Sequence, residues 1–217
     1  MSKIQTNTIQ HTANGAAVFT LPQTDGSSGQ YLKTDGSGAL SFGTVATGGG
    51  KVLQVVSTTK TDYWTQATSS NTAFYDITNL SASITPTTSG NKILIFISLA
   101  LTADQATQRM GVRTVVSVGG GSNTVIGAGT TNNPSGTSGV VVAASMGNLE
   151  THRIYNIIPV SYNYLYTTSS TSAHLFRPQV VMEPATSGIL RINRNELMTN
   201  DSHQSSASTI TLMEIAQ

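Results

Sequence analysis

The sequence predicts an all-β protein: a small N-terminal segment of β-hairpins and repeats, then a jelly-roll β-sandwich that assembles as a trimer. Three observations carry this expectation. Short alternating apolar runs recur from Lys51 to the end, and no stretch sustains the spacing of three and four that marks a helix. Thr24-Asp25-Gly26-Ser27 recurs ten residues later as Thr34-Asp35-Gly36-Ser37, and each copy leads into a short apolar segment. Gly48-Gly49-Gly50 then separates this device from the strand-rich remainder, which divides the chain into residues 1–49 and 50–217.

Taken in order, residues 4–10 and 17–21 are β-like runs on either side of Asn14-Gly15, a dipeptide suited to a tight hairpin turn. Residues 24–33 and 34–43 are the two repeats, each opening on an Asp-Gly turn and offering one extended piece, at 30–32 and 39–42. Pieces this short bury no core alone, so they need neighbouring chains or a docking partner. From Lys51 onward strands are expected at 52–56, 73–77, 93–101, 112–118, 140–146, 154–166, 175–182, 189–194 and 209–216. Pro86, Pro134 and Pro184 fall in or beside the connections, where proline removes no ladder hydrogen bond. That many short strands reads as two packed sheets, with a jelly roll the commonest solution. The Gly/Asn/Thr/Ser-rich excursion at 119–139 reads as a surface hairpin or loop.

Composition narrows the function classes. Only 10% of the 217 residues are charged, against about 25% in an average soluble protein. With 38% hydrophobic residues and a net charge of +1, the chain should fold, and it lacks the basic footprint of a nucleic-acid or anionic-membrane partner. There is no cysteine, which excludes disulfides, thiolate catalysis and cysteine-based zinc sites. The N-terminus has no signal-peptide core, and the longest apolar run, 93–101, is far shorter than a membrane helix of about 20 residues. Synthesis in a cytoplasm without membrane insertion is the expectation.

One strand carries more information than the rest. In 93–101 the odd positions are all large and apolar, while the even ones begin with Leu94 and Phe96 and fade to Ser98 and Ala100. A strand of a monomeric sandwich keeps one polar face, so two apolar faces at one end mean that something covers the outer face there, a loop or, on the sharper reading, a subunit interface. Leu94 and Phe96 are therefore interface candidates. Tyr162, Tyr164 and Tyr166 stripe one face of another strand and join them: an exposed tyrosine can stack on a sugar ring, but aromatic cross-strand residues ordinarily serve sandwich packing or the trimer contact.

The segments that mark the ends of this chain resemble a known group. Residues 4–10 (Ile-Gln-Thr-Asn-Thr-Ile-Gln), residues 28–42 and the ending 208–216 are similar to virion proteins of tailed bacteriophages, short tail-fibre and decoration proteins of marine and cyanobacterial phages among them. Residues 76–86 followed by 92–95 are similar to the same group. The resemblance implies a homotrimeric C-terminal jelly roll of the tumour-necrosis-factor and C1q type, with an N-terminal segment that attaches to other virion proteins. It carries no catalytic signature. What it implies is a structural protein of the virion, made in the host cytoplasm.

Two functions then stand side by side. In one, a trimeric fibre binds a host-surface glycan or protein through outer loops rich in adaptable polar residues, with Trp64, Asn123, Asn132 and Asn133 as receptor-binding candidates. In the other, the body is a capsid or tail decoration protein that contacts virion proteins alone. No enzyme is expected. There is no nucleophile elbow, Gly136-Thr137-Ser138-Gly139 having the wrong spacing, and the ten acidic residues are scattered through turns. Glu150 with His152 and Asp201 with His203 are each two apart, but neither has the spacing of a zinc or calcium loop, so neither a metal nor a cofactor is expected. Arg191 and Arg194 read as scattered surface cations.

Overall fold

A computed structural model describes residues 6–10, 18–45, 51–68, 73–103, 109–127, 142–145, 157–183, 188–195 and 205–217. The chain divides into two compact units, Met1–Gly48 and Gly49–Gln217, and every regular element among the described residues is a strand.

In the first unit β1 (Thr8–Gln10) pairs antiparallel with β2 (Val18–Thr20), Ile9 opposite Phe19. The Asn14-Gly15 turn lies outside the described residues. Next, β3 (Gln30–Thr34) pairs antiparallel with β4 (Leu40–Thr44), Leu32 opposite Phe42. The repeats are thus two halves of one hairpin, the first copy supplying β3 and the second supplying the turn and β4. The second copy turns because Asp35 gathers its donors. Oδ1 accepts from the backbone N–H of Ser37 at 2.9 Å and of Ala39 at 3.0 Å, and Oδ2 accepts from Ser37 Oγ at 2.8 Å. Gly36 supplies the positive φ of 85°. In the first copy Gly26 stays out of the left-handed region and lies against Phe42, where an added Cβ would come within 2.6 Å of the ring. Among this unit's described residues Gly43 alone is buried, and Ile9, Phe19, Tyr31, Leu32 and Val45 are exposed.

The second unit is a sandwich of two six-stranded antiparallel sheets. Its strands are β5 (Val52–Lys60), β6 (Trp64–Thr68), β7 (Tyr75–Asp76), β8 (Ala82–Ile84), β9 (Lys92–Ala103), β10 (Arg109–Val118), β11 (Thr124–Ile126), β12 (Val142–Ser145), β13 (Ile158–Thr167), β14 (His174–Glu183), β15 (Gly188–Ile192) and β16 (Ser208–Ile215). One sheet runs β5-β16-β9-β15-β6 with β13 also on β9. The other runs β11-β10-β14-β7, with β12 on β10 and β8 on β14. The architecture is the all-β sandwich expected, consistent with a jelly roll. Strands β6, β8 and β11 went unpredicted because they are short and, in the case of Trp64–Thr68, largely polar; pairing rather than local pattern makes them strands.

The core forms where the apolar positions of β9 meet the second sheet. Ile93, Ile95, Ile97, Leu99 and Leu101 are each at most 2% exposed and belong to one cluster with Met110, Val112 and Val116 of β10, Phe176, Val180 and Met182 of β14, and Ile210 and Leu212 of β16. Each such side chain contributes about 1.5–3 kcal/mol by leaving water. This cluster fixes which face of β9 is inward, and so which residues face out.

Candidate functional site

With the odd positions of β9 committed to the core, Leu94, Phe96 and Ser98 take its outer face. The ladder register then builds rows across the sheet. Leu165 of β13 stands opposite Leu94, Leu94 opposite Met213 of β16, and Met213 opposite Val55 of β5. This is an unbroken apolar row over four strands, in which Leu165 is 48% and Val55 54% exposed. The next row is Asn163, Phe96, Thr211 and Ser57, with Phe96 40% exposed. The row beyond is Ser161, Ser98, Thr209 and Thr59, where Ser161 Oγ donates to Ser98 Oγ at 3.1 Å. The face therefore grades from apolar to hydroxyl-bearing within three rows. A hollow of about 260 Å³ opens beside Phe96, lined also by Ser98, Ser161, Asn163 and Thr209.

The interface candidates separate onto opposite sides of this sheet. Leu94 and Phe96 lie on the outer face, whereas the tyrosine stripe of β13 turns inward toward the second sheet. Tyr162 Oη lies 2.8 Å from Thr114 Oγ1 of β10, and burial pushes its hydroxyl up to about 12 against the opposing pull of that hydrogen bond. Tyr166 meets Phe176 and His174 edge-on, at centroid distances of 5.5 and 5.7 Å. Tyr164, 38% exposed, lies over Gly127, where an added Cβ would come within 2.9 Å of its ring. The stripe packs within the sandwich rather than at a trimer contact, the role it was grouped under. Val55, Leu165 and Met213 were missed, because only the register brings them into Leu94's row.

The receptor candidates fare differently from one another. Trp64 is a correction: it belongs to the core cluster at 9% exposure, and its Nε1 donates to Thr78 Oγ1 at 3.2 Å, so its ring faces no ligand. Asn123 is exposed, and its Oδ1 accepts from Arg177 Nη2. Asn132 and Asn133 lie outside the described residues, as do the Glu150–His152 and Asp201–His203 pairs and His11. His174 is fully buried with Nδ1 2.7 Å from the Ser172 carbonyl oxygen. Among the described residues no group of three or more His, Cys, Asp or Glu is placed to hold a metal ion. Arg191 is not a surface cation either: it is 8% exposed, while Arg194 lies over the Tyr63 ring at 4.9 Å.

Asn123 belongs to a second polar constellation, on the outer face of the other sheet. Arg113 of β10, Gln179 of β14 and Asp76 of β7 stand in one cross-strand row. Arg113 Nε donates to Gln179 Oε1 at 2.6 Å, and Gln179 Nε2 donates to Asp76 Oδ1 at 2.7 Å. The guanidinium of Arg113 covers the Phe74 ring, 3.7 Å from its centroid. Arg177, in the neighbouring row, reaches Asp76 Oδ2 with Nη1 at 3.5 Å and Asn123 with Nη2.

No protein-family model and no curated protein matches this sequence. Among solved structures, the chain is similar to one of infectious bursal disease virus, Gx strain, at 11% identity and a TM-score of 0.42, over 82% of this chain and 39% of that one. It is also similar to the VP2 subviral particle of infectious bursal disease virus, at 12% identity and a TM-score of 0.36, over 82% of this chain and 40% of that one. The chain thus spans about two-fifths of the length of these structures.

Proposed function

We propose that this protein is a structural component of a tailed-phage virion, a homotrimeric fibre whose N-terminal unit attaches to the particle and whose sandwich reaches the host surface. The observation that carries the reading is the apolar row Leu165–Leu94–Met213–Val55, with Phe96 beside it, on the outer face of the β13-β9-β16-β5 sheet. A contiguous exposed apolar patch rimmed by hydroxyl groups is what a subunit contact leaves on an isolated chain. The sequence resemblance supplies the three-fold arrangement. The exposed apolar residues of the first unit, in which Gly43 alone is buried among the described residues, fit a segment completed by other virion proteins.

Light scattering should return three times the 22.7 kDa chain mass, at micromolar concentration. A chain beginning at Lys51 should remain β-rich and trimeric yet fail to join particles. The purified full-length trimer should compete with phage for adsorption to host cells. A monomeric mass would overturn the assembly, and incorporation of the shortened chain would overturn the attachment role. Particle incorporation without competition for host cells would favour a decoration protein.

A further inference from the structure

We propose that Arg113 and Arg177, on the outer face of the β11-β10-β14-β7 sheet, form the anion-reading end of a binding site for an acidic sugar. The proposal rests on the host-surface reading above and names the ligand class that surface would take.

Charge bookkeeping is the first argument. Two guanidiniums share one carboxylate, Asp76, so among the described residues the cluster carries one positive charge in excess. In a chain of which only 10% is charged, such an excess is conspicuous. Arg177 takes up that carboxylate in a salt bridge at 3.5 Å, which leaves the excess on Arg113. Asp76 takes its short hydrogen bond from Gln179, and Arg113 meets that carboxylate only through the Gln179 amide, not directly.

Donor geometry is the second. Gln179 occupies Arg113 Nε, and Phe74 backs the guanidinium plane, so the group is held, and among the described residues neither of its Nη nitrogens has a hydrogen-bond partner. A guanidinium presented this way matches a planar carboxylate through two parallel hydrogen bonds. One carboxylate also cancels the excess charge.

The third argument is what surrounds the fork. The carboxylate oxygens of Asp76 and the amide of Asn123 can accept from hydroxyl groups, and half-buried Phe74 offers apolar ring surface. A ligand bearing one carboxylate, several hydroxyls and an apolar ring face is an acidic sugar such as a uronic acid.

The test is titration of the purified full-length protein, by calorimetry or ligand-observed NMR, with glucuronic acid, glucose, acetate and inorganic phosphate. Glucuronic acid should bind at least about tenfold more tightly than glucose or either simple anion, a difference that one bidentate charged contact can supply. R113K keeps the charge but loses the fork, so it should weaken glucuronic acid about tenfold with the unfolding midpoint unchanged. R194Q, a charge loss away from the site, should leave binding as it was. Equal binding of glucose and glucuronic acid, no binding of glucuronic acid, affinity for acetate or phosphate as high as for the sugar acid, or unaltered binding by R113K would each overturn the site. Competition with phage for host cells without acidic-sugar binding would remove this inference alone. Acidic-sugar binding by a protein that never joins particles would remove the fibre reading and leave the site standing.

Discussion

Asn91 Nδ2 donates to Glu214 Oε1 at 2.6 Å, in an interior position where Glu214 is fully buried and takes part in no described salt bridge. The carboxylate is held by neutral donors instead. Gln54 Nε2 donates to Oε2 at 2.6 Å, and Thr87 donates to Oε1 from its backbone N–H at 2.7 Å and its hydroxyl at 2.8 Å. Strands β5 and β16 and the turn before β9 are thereby joined at one atom pair.

Burial alone would raise the pKa of Glu214, but the hydrogen bonds from Asn91, Gln54 and Thr87 outweigh it and hold the carboxyl below its ordinary value. The folded value being the lower one, the stabilisation is present above the unfolded pKa of about 4.3 and disappears as pH falls through the folded pKa. Glu214→Gln turns an amide N–H toward donors that need an acceptor. It should cost about 2–3 kcal/mol at neutral pH and flatten the acid limb of a stability-versus-pH curve measured by urea unfolding.

Tyr162 makes the opposite prediction at the alkaline end. Its folded pKa of about 12 lies above the unfolded value of about 10, so between these the unfolded chain has lost a proton that the folded chain keeps. Stability falls as pH rises through that window. Tyr162→Phe should remove this decline, while costing about 1 kcal/mol at pH 7 through the unpaired Thr114 hydroxyl. Unfolding midpoints at pH 8 and pH 11 measure both effects.

Trp64 tests whether the lone tryptophan packs or binds. Trp64→Ala should cost about 3–5 kcal/mol by opening a cavity in the core. Trp64→Phe should cost far less and leave host adsorption intact. Lost adsorption with an unchanged thermal midpoint would show that the ring serves recognition.

The fold class was readable because burial writes a period of two into β9 and β16, where alternate residues meet the opposing sheet. The apolar outer face at Leu94 and Phe96 was readable for the same reason, since two adjacent outward positions broke the alternation. Val55, Leu165 and Met213 were not. Leu165 is a single outward apolar residue on its strand, Val55 and Met213 each share their face with one other, and only ladder register across strands distant in sequence makes them a row. The tyrosine stripe showed its period but not its direction, because the same alternation fits an inward or an outward face. Trp64 sits in a polar segment whose strand exists by pairing with β15, so its burial left no local trace. The arginine row depends on β7, β10 and β14 coming together, and no one segment contains it.

The outer apolar row supports a prediction that separates assembly from folding. Leu165 and Val55 are about half exposed on the isolated chain, so replacing both with serine removes little burial within the sandwich. For a monomer the double substitution V55S/L165S would be a surface change worth within about 0.5 kcal/mol per site. In a trimer that buries this face, the same change removes apolar area from the contact and should weaken association at least about tenfold, because each such side chain contributes about 1–2 kcal/mol there. Phe96→Asp should act more strongly, since it leaves an uncompensated charge in a dry contact. Light scattering should show the double variant dissociating on dilution and Phe96→Asp monomeric or aggregated. Circular dichroism should show V55S/L165S still β-rich. A trimer unchanged on dilution in both variants would place the subunit contact elsewhere on the sandwich.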